Sequence, residues 1–298
     1  MSIGNIPKQN PISDDELDNL RISRWQLNPE WDAIKTPQNG ENWRLVLPFE
    51  ETFRNSFTTM CDGDFRPHLH VAPRGQLTIY LNGTQGDEGP PIEVVEWVEK
   101  VGKYVAIKDL LAISFALDYT YETGNPDNGR TKIAELRTNA KPYEGMATIA
   151  HLKAAKQLAD RCLGFLEEMT CYDPADAIIA IPPSNPHKNY NLPRELARVI
   201  AKRRQLQDLS DSVFDLKQHD PIKNTSKENK LAILRQAARI KDDTEVQGHT
   251  IILIDDLYQS GTTMNYYSKL LLDAGAVGVL GLACEKTCRN DDNVSGRR

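Results

Sequence analysis

Residues 251–263 read Ile-Ile-Leu-Ile-Asp-Asp-Leu-Tyr-Gln-Ser-Gly-Thr-Thr, an apolar run that leads into two acids and then into a small, hydroxyl-rich turn. The apolar residues predict a buried strand over 250–254, and the pattern that follows predicts a helix over 263–273. This order places polar groups at the carboxyl end of a strand, which is the edge where open α/β sheets bind ligands. The stretch therefore predicts both a fold class and a binding site.

Strand and helix patterns alternate on the amino-terminal side of this stretch and continue after it. Apolar residues at helical spacing predict a helix from Met146 to Leu166, and Asn191 followed by Pro193 predicts the start of another. Further strands are predicted at 76–81, 176–181, 212–216 and 277–283, and a short helix at 92–101. Such alternation is typical of an α/β fold with a mainly parallel twisted sheet and flanking helices.

The composition limits the class of protein. The chain has 298 residues, 40% of them hydrophobic, and a formal net charge of −6, so no overall basic field favours a nucleic-acid partner. No apolar run approaches the roughly 18 residues that a membrane helix needs, and the first residues do not form a signal peptide. Five cysteines without a CxxC pair indicate reduced thiols. We expect a cytoplasmic protein without a membrane partner.

The composition also changes along the chain. Residues 1–23 are rich in proline and acids and are expected to be extended or partly disordered. All four tryptophans fall in the first 97 residues, which indicates a separate N-terminal module over 24–105 that offers aromatic anchors for a protein partner. The main α/β domain is expected over 106–290, followed by a flexible tail over 291–298.

The chemistry of residues 255–263 is that of a sugar phosphate site. Adjacent acids repel each other and persist where hydroxyl donors or a cation satisfy them, and a ribose offers two vicinal hydroxyls. Gly261 allows the backbone to approach a ligand, while the hydroxyls of 260–263 and a helix N-terminus suit a phosphate. The alternative is an ordinary strand-to-helix turn in which one of these side chains caps the helix.

This stretch resembles the phosphoribosyl pyrophosphate (PRPP) signature of type I phosphoribosyltransferases, and especially that of the ComF family, which also carries a tyrosine at the position of Tyr258. The family's Pro-x-Ser pyrophosphate loop resembles 182–188. The resemblance covers about residues 110 to 290. It implies a site that binds PRPP or a ribose 5-phosphate nucleotide with Mg²⁺, in which Asp255 and Asp256 meet the ribose hydroxyls and the metal. The residues assigned to this site are Asp255, Asp256, Tyr258, Gln259, Ser260, Gly261, Thr262, Thr263, Pro183, Ser184 and Lys188.

Two departures from the family pattern concern catalysis. Gln259 stands where purine-salvage relatives have an aspartate that contacts the purine, and an amide does not accept a proton at neutral pH. The pyrophosphate loop has Lys188 but no arginine before Arg194. The polar segment 217–230 is predicted to be a mobile loop whose lysines compensate. No catalytic residue is assigned. Transfer to an unknown acceptor and a non-catalytic sensor, regulatory or effector module linked to DNA uptake or defence both remain open.

Smaller clusters suggest other sites, and each has a structural alternative. His68 and His70 share a strand face and would ligate a metal with Cys61 or Asp64, and Cys284 with Cys288 is a weaker metal candidate. By family position, Asp118, Tyr119 and Tyr121 would line an acceptor site. A nucleic-acid face is suggested by the basic residues Arg194, Arg198, Lys202, Arg203 and Arg204. Packing histidines, core aromatics and a solvated charged face explain the same residues.

Overall fold

The computed structural model of the chain describes residues 8–26, 33–35, 42–63, 66–82, 89–142, 146–219 and 225–289. The strands in these residues are β1 (Ser23–Trp25), β2 (Ile34–Lys35), β3 (Arg44–Leu47), β4 (Arg66–Val71), β5 (Leu77–Asn82), β6 (Val105–Lys108), β7 (Ile113–Tyr119), β8 (Ala177–Ala180), β9 (Gln207–Asp208), β10 (Phe214–Leu216), β11 (Ala238–Ile240), β12 (Thr250–Tyr258) and β13 (Gly278–Lys286). The α-helices are α1 (Asp14–Asp18), α2 (Glu51–Met60), α3 (Ile92–Gly102), α4 (Lys132–Asn139), α5 (Ile149–Glu168), α6 (Leu192–Arg204), α7 (Lys227–Ala237) and α8 (Thr262–Asp273).

A seven-stranded sheet forms the centre of the protein, with the strand order β1-β6-β7-β13-β12-β8-β9. The strands β7, β13, β12, β8 and β9 each run parallel to the next strand in this order. At the other side of the sheet, β6 pairs antiparallel with both β1 and β7. The prediction of an α/β fold with a mainly parallel sheet is confirmed. Because β12 lies between β13 and β8, the acids at its end lie inside the sheet rather than at its margin.

Both faces of the sheet are covered by helices, as the unbroken apolar runs require. On one face, Ile252 and Ile254 belong to a core cluster with residues of α5 and α6. On the other face, Ile251 and Leu253 belong to a second cluster with residues of α8. Successive residues of a strand point to opposite faces, so β12 contributes to both clusters.

Residues of the predicted N-terminal module join the main fold at several points. A second sheet, with the antiparallel order β2-β3-β5-β4, contains the strand predicted at 76–81. Trp97 of α3 is 1% exposed and packs edge-on against Phe57, with ring centroids 5.3 Å apart. The same core cluster includes Phe115 of β7, and Thr52 of α2 donates a 2.7 Å hydrogen bond to the Ile107 carbonyl. The module's core is therefore continuous with that of the central sheet.

The segment before β1 is more ordered than its composition indicated. Residues 1–7 lie outside the described residues, but α1 forms at Asp14–Asp18 and buries Leu17 completely. The Ser13 side chain caps this helix by accepting a hydrogen bond from the Glu16 amide. The Glu16 carboxylate in turn accepts one from the Ser13 amide. The acidic run that suggested an extended segment occupies the first turn of a helix, where negative charge is favourable. The predicted tail over 291–298 also lies outside the described residues.

The segment predicted as a long mobile loop is in part a helix. Ser226 caps α7, which starts at Lys227, and residues 220–224 lie outside the described residues. The predicted strand at 212–216 corresponds to β10, which pairs antiparallel with β11 in a separate two-stranded sheet. It therefore does not extend the central sheet. None of the described helices combines the length and apolar character that crossing a bilayer requires.

Candidate ligand site at the carboxyl end of the central sheet

The turn between β12 and α8 forms the centre of the candidate site. Gly261 takes the N-cap position of α8 with φ +79°, and the hydroxyls of Ser260 and Thr262 lie 3.1 Å apart. The first amides of a helix have no partner within the helix, and they point towards the space beyond its N-terminus. Together with the hydroxyls, these amides form a polar cradle suited to an anion.

The glycine in this turn is required by its surroundings as well as by its φ angle. A Cβ placed on Gly261 would lie 2.5 Å from the Tyr258 hydroxyl oxygen and 3.0 Å from Cγ2 of Ile22. Any other residue would push apart the end of β12 and the segment that carries Ile22.

Tyr258 faces the protein interior with its hydroxyl group. That hydroxyl donates a 2.7 Å hydrogen bond to Asp109 and accepts one of 3.2 Å from Asn265. Burial raises the pKa of Asp109 to about 6, although hydrogen bonds from Tyr258 and the Leu111 backbone oppose the shift. Tyr258 therefore stabilises the turn from inside the protein. A ligand in the cleft would contact only the part of the Tyr258 side chain that lines it.

Lys286 supports the same turn with a fully buried ammonium group. Its Nζ donates to the carbonyl oxygens of Gln259 at 3.0 Å, Thr287 at 2.9 Å and Arg289 at 2.8 Å. The ammonium also lies 5.8 Å from the centre of the Tyr258 ring. These bonds fix the backbone of Gln259, whose side chain is left to face the cleft.

A cleft of about 250 Å³ opens above this turn. It brings together the end of β12, the first turn of α8, the loop after β8 and the helix α7. Its lining consists of Ser184, Lys230, Asp255, Leu257, Tyr258, Gln259, Ser260, Gly261, Thr262, Thr263 and Met264. A carboxylate, an ammonium group and several hydroxyls thus surround one space, which fits a ligand that has both hydroxyls and phosphates.

The two adjacent acids have different surroundings. Asp255 lines the cleft, whereas the Asp256 carboxylate lies on the side of α4. Asp256 forms ion pairs with Arg137, at 3.2 Å, and with Lys141. Arg137 also pairs with Glu285, which accepts a 2.6 Å hydrogen bond from Thr120. Only the first of the two predicted ribose-binding acids is presented to the cleft.

These surroundings shift the pKa values of the two carboxyl groups in opposite directions. Burial and the neighbouring Asp256 charge raise the pKa of Asp255. Burial also acts to raise the pKa of Asp256, but the charges of Lys141 and Arg137 outweigh it and the pKa lies below its ordinary value. Asp256 is therefore the charged member of the pair and is neutralised by cations of the protein.

The loop predicted to hold pyrophosphate is divided between two clefts. Ser184 lines the cleft above the glycine turn. Pro183 instead lines a second cleft of about 240 Å³, which is also lined by Arg194. Lys188 belongs to neither lining. The Ser184 carbonyl accepts a 3.0 Å bond from the His219 amide, and so the loop contacts the start of segment 217–230.

Only one of the lysines expected to compensate for the missing arginines is found in the cleft. Lys230 on α7 is 4% exposed and lines the cleft together with the turn. The Lys227 ammonium instead donates to the carbonyls of Asp18, at 2.6 Å, and Leu20, at 3.0 Å. Lys217 lines a different cleft, and Lys223 lies outside the described residues.

The donor set around the acids fits a magnesium ion only in part. The described residues contain no group of three or more His, Cys, Asp or Glu side chains able to hold a metal. Asp255 is the one member of the acid pair that faces the cleft, since Asp256 is paired with cations. Mg²⁺ is commonly held by one or two carboxylates together with water and ligand phosphates, so Asp255 fits this role when a phosphate ligand supplies the remaining oxygens.

The smaller metal candidates lie far from an assembled site. His68 and His70 are exposed on β4, and Asp64 lies outside the described residues. Burial raises the pKa of the Cys61 thiol to about 12, which disfavours the thiolate that a metal needs. Cys284 is buried with its sulfur 3.9 Å from that of Cys162. These residues are better explained as surface histidines and core thiols.

Several of the remaining sequence candidates contact other side chains of this chain. On the basic face of α6, Arg194, Arg198 and Arg204 pair with Asp211, Glu195 and Asp173 respectively. The ring of Tyr119 is 7% exposed and has the Arg24 guanidinium 5.7 Å from its centre. Asp118 pairs in register with Glu285 on the neighbouring strand, and burial raises its pKa to about 6.

Sequence reasoning missed the residues that support the site from outside the motif. Arg137 and Lys141 lie at the end of α4, and Glu285 and Lys286 at the end of β13. The one available signal was the charged pair Glu-Lys at the end of the apolar run 277–284, since charges at that position of a parallel strand lie at the binding edge.

Comparison with known proteins gives a limited result. The sequence matches no protein-family model and no curated protein. Similar solved structures include an allosteric regulatory enzyme of purine biosynthesis, with 13% identity and a TM-score of 0.34 over 80% of this chain and 44% of that one. They also include the glutamine PRPP amidotransferase of B. subtilis in complex with ADP and GMP, with 13% identity and a TM-score of 0.35 over 80% of this chain and 46% of that one. A third is the PRPP synthetase of Mycobacterium smegmatis, with 12% identity and a TM-score of 0.29 over 80% of this chain and 78% of that one.

The chain thus spans less than half of the length of the first two of these proteins. At such identities and TM-scores the likeness carries no argument. The α/β fold stated above rests on the strand order and pairing of this chain itself.

Proposed function

We propose that this protein binds PRPP or a ribose 5-phosphate nucleotide in the cleft above the turn 259–263, as a type I phosphoribosyltransferase-like protein similar to the ComF family. One observation carries the proposal: the cleft joins a carboxylate, a helix N-terminus with hydroxyls, and a lysine at the carboxyl edge of a parallel sheet. A sugar phosphate presents both the hydroxyls and the phosphate groups that these side chains and amides bind.

Each part of the cleft has a role in this proposal. The amides at the start of α8, with Ser260 and Thr263, bind the 5-phosphate. Asp255 accepts hydrogen bonds from the ribose hydroxyls, while Ser184 and Lys230 meet the pyrophosphate on the opposite side. Asp256 acts indirectly, because its ion pairs with Arg137 and Lys141 fix the end of β12.

Magnesium would be held by Asp255 and the phosphate oxygens of the ligand. When bound, it would neutralise part of the pyrophosphate charge and favour its departure. The protein would supply further positive charge from Lys230, which lines the same cleft.

Transfer and sensing are the two functions that such a site can perform. Transfer moves the phosphoribosyl group from PRPP to an acceptor and releases pyrophosphate. The second candidate, a cytoplasmic sensor or regulatory module, is favoured by Gln259, whose amide does not accept a proton from an acceptor. The two differ in whether bound PRPP is consumed.

Calorimetric titration with PRPP, with and without Mg²⁺, tests the proposal. We expect wild-type protein to bind and Asp255→Asn to bind at least about tenfold more weakly, because the amide puts an NH2 group, which neither accepts a hydrogen bond nor binds Mg²⁺, in place of one carboxyl oxygen. Asp127→Asn, which changes an exposed acid, is the matched control and should bind like wild type. Absence of binding by wild type would refute the proposal.

A pyrophosphate release assay with the same samples then separates the two functions. Release in the presence of nucleobases or amines assigns transfer. Binding without release across these acceptors assigns sensing.

A further inference from the structure

The segment before β1 connects parts of the protein that are distant in sequence. We refer to residues 8–22 as the N-terminal clasp. Its Gln9 side chain donates a 2.6 Å bond to the Leu110 carbonyl and accepts a 3.0 Å bond from the Val279 amide. This anchors the start of the clasp to the central sheet at β13 and at the turn before β7.

The clasp next packs against α8, the helix whose N-terminus faces the cleft. Ile12 and Leu17 are 4% and 0% exposed and belong to the core cluster that includes residues of α8. The Lys269 ammonium on α8 donates a 2.8 Å hydrogen bond to the Ile12 carbonyl. Apolar burial and this bond hold the clasp along the helix.

The clasp also binds α7, the helix that carries Lys230. At the start of α7, Lys227 donates to the carbonyls of Asp18 and Leu20 at 2.6 and 3.0 Å. Two turns later, Arg235 pairs with Asp18 at 3.0 Å and with Asp14 at 3.2 Å. These contacts lie on either side of Lys230 in the sequence, so α7 is held at both ends of the turn that faces the cleft.

The end of the clasp reaches the glycine turn itself. Ile22 lies close enough to Gly261 that an added Cβ would be 3.0 Å from its Cγ2 atom. The same fifteen-residue segment therefore contacts both α7 and the glycine turn, two parts of the cleft lining.

We infer that the N-terminal clasp positions α7, and with it Lys230, against the phosphate-binding turn, and that Lys227 and Arg235 are positioning residues for the ligand. This inference rests on the proposed function. Arg235 is 41% exposed, and exposed ion pairs are individually weak, so the clasp acts through several contacts together. Loosening them lowers the fraction of molecules with Lys230 in place, and the apparent affinity falls by the same fraction.

The double variant Lys227→Met/Arg235→Gln tests this inference in the full chain. Hydrogen exchange of the α7 amides should become at least about fivefold faster, and PRPP affinity about fivefold weaker. Arg239→Gln is the matched control. Arg239 follows α7 directly but pairs with Asp215 of β10, not with the clasp. It should change neither measurement.

A pair of charge-reversing substitutions makes the test specific. Asp18→Arg and Arg235→Asp, each harmful alone, should restore the hydrogen-exchange rates of α7 in part when combined, because the pair between positions 18 and 235 is rebuilt in reverse while Asp14 loses its cation. Unchanged hydrogen exchange of α7 in Lys227→Met/Arg235→Gln, or PRPP binding by that variant equal to that of wild type, would overturn the inference. Failure of the proposed function has a different signature, since wild type itself would not bind PRPP while α7 exchange still responded.

Discussion

Tyr258 and Asp109, 149 residues apart in the chain, are joined by a 2.7 Å hydrogen bond beneath the candidate cleft. Asp109 lies in the turn between β6 and β7, and Tyr258 ends β12, so the bond ties the antiparallel side of the sheet to the glycine turn. The shape of the cleft therefore depends on residues that no ligand touches.

Replacing Tyr258 with Phe removes the donor but keeps the ring. The buried Asp109 carboxylate then loses a hydrogen bond, and we expect the free energy of unfolding to fall by about 1–3 kcal/mol. Urea denaturation measures the loss. Tyr121→Phe, at a partly exposed position, is the control and should cost less than about 0.5 kcal/mol. Equal effects of the two changes would contradict the role assigned to the hydroxyl.

The buried Asp109 carboxyl should make the free energy of unfolding depend on pH. Burial raises its pKa from 3.8 to about 6, so the folded protein holds this proton more tightly than the unfolded chain does. The associated stability is fully present below pH 4 and is lost as the pH rises through 6. Between pH 4 and 7 the unfolding free energy of wild type should fall by about 2 kcal/mol relative to that of Asp109→Asn. A constant difference between the two proteins across this range would refute the assignment.

Gly261 and Gly248 provide a matched pair for testing the glycine turn. Both have positive φ, +79° and +84°, but a Cβ at Gly248 meets no atom within 4 Å. Alanine at either position should cost about 1 kcal/mol of stability from backbone strain. Gly261→Ala should cost more, because its Cβ clashes with the Tyr258 hydroxyl, and it alone should weaken PRPP binding. Thermal denaturation and calorimetry measure the two effects. Identical behaviour of both variants would argue against the proposed contact.

The ion pairs of Asp256 differ in burial, and their loss should differ accordingly. The Arg137 side chain is 15% exposed and its partner Glu285 is 1% exposed, so Arg137→Met leaves the buried Glu285 without its cation and Asp256 with Lys141 alone. We expect a loss of about 3–5 kcal/mol in unfolding free energy. Lys141 is 42% exposed, and Lys141→Met should cost about 1 kcal/mol or less. Chemical denaturation at neutral pH compares them, and the reverse order would refute this account.

Local patterns predicted the elements that carry the site, because each is defined by residues adjacent in sequence. The apolar run before Asp255 and the hydroxyl-rich turn after Gln259 correspond to β12 and the start of α8. In the same way, Asn191 caps α6 with Pro193 in its first turn, as expected. Such signals depend on a few neighbouring side chains and on backbone geometry alone.

What surrounds the motif could not be read from sequence. Arg137 lies 119 residues from Asp256 and 148 from Glu285, and nothing in its helix marks it as a partner for buried acids. The helix α7 was missed because its first turn is polar, with its buried Leu231 and Leu234 appearing only later. The acidic run near Asp14 suggested disorder although it forms the first turn of a capped helix. In each case a distant partner or a cap determined the structure.

The two margins of the central sheet have a consequence for association between molecules. One edge is β1, with three residues, and the other is β9, with two. Strands this short offer few unpaired backbone groups in a row, which is one way natural proteins prevent their sheets from recruiting strands of other chains. The central sheet therefore offers other chains little edge for strand addition.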